Sequence, residues 1–328
     1  MSVALVTGGR GFLGGWLAKA LLERGDTVIS LDRRRPTERP SAIGMLGIEA
    51  ELIQVEGELT DSELLGRALA DHRVDAVFHL AAETIVADVQ ASPVHGFESN
   101  VRGTWTVLEA ARGHGVERVV VASSDKAYGA HARLPYREDF PLRPNAPYEA
   151  SKAAADLIAR SYWHSYGLPV AVTRFANVYG GGDLNFSRLV PEAVSAALRG
   201  RPPVLRSDGS PERDFLYVED AAAAYLAIAE ALDRDEVRGE AFNAGGGRPH
   251  TVREVVELIA RLAGMRVAPE VHGTGNPEGE IDRQYVDPTK LRELVGFEPS
   301  VEFEAGLERT ISWYREHPEA LAPATSTA

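Results

Sequence analysis

The sequence contains no cysteine, which excludes disulfide staples, thiolate nucleophiles and cysteine-held zinc or iron–sulfur centres. It also lacks long hydrophobic runs, since nowhere do the roughly 18 consecutive apolar residues needed to cross a bilayer occur. Positive charge is in deficit: 35 Lys and Arg face 48 Asp and Glu, a net charge of -13. A broad electrostatic grip on nucleic acid or anionic membrane is therefore not expected, and any anionic ligand must be met by a local pocket. Val3-Ala4-Leu5-Val6 runs straight into glycines, so no secretory signal is expected. The histidines are scattered without an H-E-x-x-H pair, so no metal is expected, and no G-x-S-x-G elbow supports a hydrolase. What is present is ordinary globular usage, 44% hydrophobic and 25% charged over 328 residues. That suits two domains or one large α/β unit, soluble and at home in a reducing cytoplasm.

Short apolar, β-branched runs alternate with helical patterns in the first half: Ala4 to Thr7, Thr27 to Leu31, Leu52 to Val55, Ala76 to Leu80, Val119 to Ala122 and Val170 to Phe175. Their continuous apolarity predicts strands of a parallel sheet covered by helices on both faces, a Rossmann-type doubly wound α/β fold. Phe12, Leu13, Trp16, Leu17, Ala20 and Leu21 recur at helical spacing, with Gly25 where a C-cap belongs. Beyond about residue 176, glycine and proline clusters separate helices expected near 187 to 199, 219 to 232 and 252 to 263. The division predicted is a nucleotide-binding domain over 1–175 and a smaller, irregular α/β substrate lobe over 176–328. Part of 203–243 is expected to return and pack on the first domain, and residues 323 to 328 to form a tail.

Thr7-Gly8-Gly9-Arg10-Gly11-Phe12-Leu13-Gly14 joins the first strand to the first helix. Gly8 would allow the tight turn, Gly11 the approach of backbone N–H groups to a pyrophosphate, and Gly14 close packing of helix on strand. Asp32 ends the second strand, where a carboxylate accepts the hydroxyls of an adenosine ribose and repels a 2′-phosphate. NAD is the cofactor expected. Arg33 and Arg34 temper that preference, because an arginine after the acid can hold a 2′-phosphate.

The glycine spacing T-G-x-x-G-x-x-G, with Leu80-Ala81-Ala82, Asn100 and Tyr148 four residues before Lys152, resembles the extended short-chain dehydrogenase/reductase family of sugar-nucleotide epimerases and dehydratases. The likeness spans nearly the whole chain. It implies that Leu80 to Ala82 line the cofactor and that Ser124 joins Tyr148 and Lys152 in catalysis. On a helix, residues four apart share a face, so the Lys152 ammonium is expected to favour phenolate at Tyr148, which then takes a hydroxyl proton as hydride leaves the same carbon.

The segment Ser124-Asp125-Lys126-Ala127-Tyr128-Gly129 resembles the acid-then-base pattern of 4,6-dehydratases, its Asp-Lys version being similar to CDP-glucose 4,6-dehydratases and to the inverting UDP-GlcNAc dehydratases, while Tyr179 to Asn185, Arg206 to Gly209 and Gln284-Tyr285 lean toward the CDP-glucose group. The resemblance implies Asp125 as acid and Lys126 as base, the latter needing a depressed pKa. A 4-epimerase acting on a UDP-sugar is the runner-up activity, and a non-catalytic NAD-binding regulator the alternative of a different class. By the same likeness Thr84 and Asn177 lie near the hexose, and Arg213 reaches the diphosphate, with Arg188 and Arg206 as further candidates. Glu58 replaces the usual acid at the adenine edge, beside Leu59, and the arginine common near residue 275 is absent or supplied by Arg283. The family also implies a homodimer formed through helices near 97 to 114 and 148 to 166.

Overall fold

The computed structural model describes residues 2–33, 40–265, 268–275 and 281–321. Arg34, the stretch 276–280 and the tail 323–328 lie outside the described residues. Six strands open the chain: β1 (Val3–Thr7), β2 (Thr27–Asp32), β3 (Ile53–Glu56), β4 (Ala76–His79), β5 (Arg118–Ala122) and β6 (Val170–Phe175). With Ala241–Ala244 they form a seven-stranded parallel sheet in the order Ala241–Ala244, β6, β5, β4, β1, β2, β3. The Rossmann-type α/β architecture expected from the alternating pattern is the one observed. Ala241–Ala244 takes the edge beside β6; the sequence pattern names no strand there, though part of 203–243 is expected to pack on the first domain.

Both faces of the sheet are covered, which explains why its strands are apolar throughout rather than on alternate residues. Helices Phe12–Glu23 and Val218–Ala231 bury Leu17, Leu21, Ala221, Tyr225 and Ile228 on one face. Helices Ser62–His72, Gly103–Gly113 and Pro147–Tyr166 bury Leu65, Leu69, Val107, Leu108 and Ala159 on the other. Each such leucine stabilises the fold by roughly 1.5–3 kcal/mol. A third cluster joins Leu189–Leu198, Val252–Leu262 and Phe303–Glu316 around Val194, Ile259 and Ile311. No described helix is long and apolar enough to cross a membrane.

The chain runs outward from β1 through β2 to β3, then returns to place β4 on the other side of β1. In open parallel sheets this reversal leaves a crevice at the carboxyl ends of the two central strands. Here a cleft of ≈ 2750 Å³ opens there, several times the roughly 300–1,000 Å³ of a drug-sized site.

Candidate active site

Where β1 ends, the glycine turn begins. Gly8 has φ +79, and a Cβ there would lie 2.9 Å from the Ala81 nitrogen; a Cβ on Gly14 would collide with the Gly8 carbonyl. Turn, β4 loop and first helix therefore close against one another only with glycine at both positions. No side chain caps the N-terminus of Phe12–Glu23, and Gly8, Gly11, Phe12, Leu13 and Gly14 all line the cleft. Open N–H groups at a positive helix end suit a pyrophosphate.

Asp32 is fixed rather than loose, its Oδ2 accepting from Ser30 Oγ at 2.8 Å and from the Arg10 amide at 3.0 Å. Glu58 is exposed and Leu59 buried, both on the cleft wall. Leu80, Ala81 and Ala82 line it too. Asn100 holds the end of their loop: Oδ1 accepts from the Glu83 amide at 2.6 Å while Nδ2 donates to the Glu83 carbonyl at 3.0 Å and to Ser151 Oγ at 2.9 Å. It sits in a π-helical turn, Glu98–Arg102, a distortion common at functional sites. The cradle, the ribose carboxylate and the braced loop together fit NAD.

His79, which sequence reasoning places in the strand core, is indeed buried but also links that loop to the π turn. Thr104 Oγ1 donates to the Asn100 carbonyl at 2.6 Å, so it accepts from His79 Nε2 at 3.0 Å. Thr7 Oγ1 accepts the Ala81 amide at 3.2 Å and donates to His79 Nδ1 at 2.8 Å. The network fixes one neutral tautomer. Burial, and secondarily the Lys152 charge, push the imidazole down to about 3.

Tyr148 and Lys152 lie in Pro147–Tyr166, a helix with Pro at its first position and Gly167 left-handed at its end. Glu149 Oε2 accepts from the amides of Asn145 and Ala146 at 2.9 and 3.3 Å, closing the N-terminus. Lys152 Nζ donates to the Ala122 carbonyl at 3.1 Å and Ser123 Oγ to the Lys152 carbonyl at 3.1 Å, pinning the helix to the end of β5. Just beyond, Ser124 Oγ donates to Asp125 Oδ1 at 3.1 Å and accepts the Lys126 amide at 3.2 Å.

The electrostatics depart from the expectation that Lys152 acidifies the phenol. Burial pushes Tyr148 up to about 12; Arg188 and hydrogen bonding to Ser124 draw it down, and Asp125 opposes them. Lys152 donates to a backbone carbonyl and is itself pushed down to about 8 by burial. Asp125 is 2% exposed. Burial raises its carboxyl above the usual range against the pull of Lys126, Ser124 and Arg213. Among the described residues two buried side-chain atoms lack a hydrogen-bond partner, Asp125 Oδ2 and Gln284 Nε2, and Gln284 Oε1 accepts from Lys126 Nζ at 3.4 Å.

The arginines proposed for phosphates take different places. Arg188 lines the cleft, donating to Asp183 Oδ2 at 3.0 Å and Thr84 Oγ1 at 3.4 Å. Arg206 lines it as well, exposed and paired with Glu192 at 3.1 Å. Arg213 donates to the carbonyls of Glu212 and Asp282 at 2.9 and 3.2 Å, close enough to act on Asp125. Asn177 Nδ2 donates to the Asp214 carbonyl at 3.1 Å. Arg283 turns to Glu212 at 2.8 Å instead of the cleft. Sequence reasoning missed Arg199 and Arg201, exposed on the cleft wall, which no motif distinguishes from ordinary surface arginines. It also missed Gln284 as a partner of Lys126. Among the described residues no group of three or more His, Asp or Glu could hold a metal.

The family model described as the NAD dependent epimerase/dehydratase family matches residues 4–245. The chain belongs to that family. Among its relatives is the dTDP-glucose 4,6-dehydratase of Xanthomonas campestris pv. campestris, 35% identical over 96% of this chain and 93% of that one. Among solved structures, the UDP-glucose 4-epimerase of Thermotoga maritima with UDP-glucose superposes with a TM-score of 0.87 at 30% identity, covering 96% of this chain and 99% of the other. The dTDP-glucose 4,6-dehydratase of Bacillus anthracis in complex with NAD gives 0.86 at 32% identity, with 98% of each chain covered. NAD is accordingly the family member's cofactor, and the chain is an enzyme of the sugar-nucleotide dehydratase and epimerase type.

Proposed function

We propose that the chain is an NAD-dependent nucleotide-sugar 4,6-dehydratase, turning CDP-glucose or a related sugar nucleotide into its 4-keto-6-deoxy product without net oxidation. The observation that carries this reading is Asp125: buried, with its carboxyl raised and Oδ2 unpartnered, beside Lys126 and hydrogen-bonded to Ser124. A raised carboxyl is the state a general acid needs.

In this reading Gly8, Gly11, Phe12, Leu13, Gly14, Asp32, Leu59, Leu80, Ala81, Ala82 and Asn100 hold the cofactor, with Lys152 at its nicotinamide ribose. When bound, NAD would supply a hydride acceptor at C4 of the hexose and, once reduced, a hydride donor at C6. Tyr148 takes the O4 proton, with Ser124 orienting that hydroxyl. The resulting C4 carbonyl acidifies the C5 hydrogen, which Lys126 removes while Asp125 protonates the departing 6-hydroxyl as water, and the proton held by Lys126 returns to C5 as C6 is reduced. Thr84, Asn177, Arg188, Arg206 and Arg213 would face the sugar and diphosphate, whose charge a protein of net charge -13 must meet with a few forked donors. The lobes divide near residue 175 and meet at the cleft. We place the enzyme in the cytoplasm, as suits a cysteine-free chain, and as a homodimer. The apolar Val94, Trp105, Leu157 and Tyr166, 44–73% exposed near or on helices Gly103–Gly113 and Pro147–Tyr166, support the dimer.

A UDP-sugar 4-epimerase is the second reading, favoured by the similarity to the Thermotoga epimerase. The two share the first oxidation and part at C5. Incubation with CDP-, dTDP- and UDP-glucose in deuterated water, read by mass spectrometry, separates them. A dehydratase loses one water and gains deuterium at C5; an epimerase does neither. Normal turnover by both Asp125→Asn and Lys126→Ala would overturn the dehydratase assignment.

A further inference from the structure

The cofactor end of the cleft holds a charge arrangement that the glycine turn and Asp32 do not explain. Arg33 follows the ribose carboxylate directly and lines the cleft. An arginine in that place is the usual means of accommodating the 2′-phosphate of NADP. Its guanidinium, however, is drawn to the loop that follows β4, where Nη2 lies 2.7 Å from Glu83 Oε1. His95 Nε2 approaches the same oxygen at 3.4 Å.

We infer that Glu83 is a cofactor-specificity residue: by capturing Arg33 it denies that cation to a 2′-phosphate and makes the site selective for NAD. Two observations distinguish this pair from an ordinary surface ion pair, which would be worth little. Glu83 is the fixed partner, its side chain 18% exposed against 44% for Arg33, and its backbone is gripped on both sides by the Asn100 amide. The arginine therefore goes to the carboxylate rather than the reverse. The neighbouring cation is matched in the same way: Arg10, also on the cleft wall, has Glu56 at 3.5 Å and hydrogen-bonds Gln54. A 2′-phosphate arriving here would meet Asp32 and a second carboxylate, Glu83, with both described arginines already engaged.

The inference concerns cofactor binding and is measured without turnover, so it stands or fails independently of the dehydratase reading. The full-length protein, freed of endogenous cofactor, is titrated with NAD and with NADP, and the ratio of dissociation constants is compared among variants. Glu83→Gln is expected to shift the ratio toward NADP by about tenfold, the worth of one charge-assisted hydrogen bond released to the phosphate. Adding Arg33→Ala to that variant should reverse the shift. An unchanged ratio in Glu83→Gln, or a shift that survives Arg33→Ala, would overturn the inference. Should Glu83→Gln bind neither cofactor, Arg33→Ala alone decides. With the arginine captured, its removal leaves the ratio where it was, whereas a selective loss of NADP affinity would show that Arg33 already serves the phosphate.

Discussion

Asp156→Ala should cost the fold about 3 kcal/mol, because it strips a fully buried guanidinium of its counter-ion. Arg174 on β6 donates from Nε and Nη2 to Asp156 on the catalytic helix at 2.7 and 2.9 Å, with side-chain exposures of 2% and 0%. Burial works against the Arg174 charge, yet the hydrogen bond and charge of Asp156 carry the guanidinium above its ordinary value. Removing one partner of such a pair costs roughly 3–5 kcal/mol. The lower end applies here because Arg174 keeps the Tyr128 hydroxyl at 3.0 Å and the Glu138 carbonyl at 3.2 Å. Asp156→Asn retains one acceptor and should lose about 1–2 kcal/mol. The double replacement Arg174→Met with Asp156→Leu should fall within about 1 kcal/mol of the parent, since it removes both desolvation costs together. Equilibrium urea unfolding, followed by circular dichroism and tryptophan fluorescence, measures all three. A loss below about 1 kcal/mol in Asp156→Ala at unchanged m-value, or a double variant as unstable as the summed singles, would refute the reasoning. The pair also joins the helix of Tyr148 to the turn of Asp125 through Tyr128, so activity in Asp156→Ala should fall further than the folded fraction does.

Histidine 79 sets a pH dependence whose sign follows from its low native value. Between pH 6.5 and about 3 the unfolded chain binds a proton that the native chain refuses, so this contribution to stability is lost as pH falls through that window. His79→Asn should reduce the slope of stability against pH, between 6 and 4, by up to about 1.4 kcal/mol per unit; an identical slope would show the imidazole is not held neutral. Arg188→Gln removes the cation that lowers the Tyr148 phenol, so the pH at which substrate oxidation is half-maximal should rise. The Asp183 pair at 3.0 Å screens Arg188, limiting the rise to about one unit; transient NADH absorbance reads it, and an unmoved or lowered profile contradicts the assignment. Trp105→Glu with Leu157→Glu should yield a monomer in sedimentation velocity where the parent is a dimer. A parent that is itself monomeric, or a variant still dimeric, disposes of that interface.

Much of the fold was legible because burial on both faces of a sheet leaves a continuous apolar signature. The expected strand Val170 to Phe175 coincides with β6, and the other five agree to within a residue or so at their ends. Ala241–Ala244 escaped notice because Ala241-Phe242-Asn243-Ala244 carries a polar residue at its centre. Asn243 is fully buried, its Nδ2 donating to the Tyr136 carbonyl at 2.9 Å and its Oδ1 accepting from the Tyr128 hydroxyl at 2.8 Å. Tertiary hydrogen bonds make this an edge strand of the core, and they involve residues more than a hundred positions away. No local pattern contains that information.

The site divides along the same line. Motif spacing brought Gly8, Gly14, Asp32, Ser124, Tyr148 and Lys152 to one cleft because turn geometry and the four-residue helical repeat are local rules. Charge states are not local, and spacing alone does not say where a charged group finds its partner. A lysine one turn from a tyrosine shares its helix face, but Nζ here reaches the Ala122 carbonyl at the end of β5, 3.1 Å away. Against its own desolvation the phenol has Arg188, which lies forty residues further along the chain, and the hydrogen bond with Ser124, while Asp125 opposes both. In the proposed reading, an ammonium committed to a carbonyl would still offer the bound cofactor a fixed donor on helix Pro147–Tyr166. In the proposed reading, ligands filling the cleft would add to Arg188 and Ser124 in drawing the Tyr148 phenol down, which would tie deprotonation of the sugar hydroxyl to their presence.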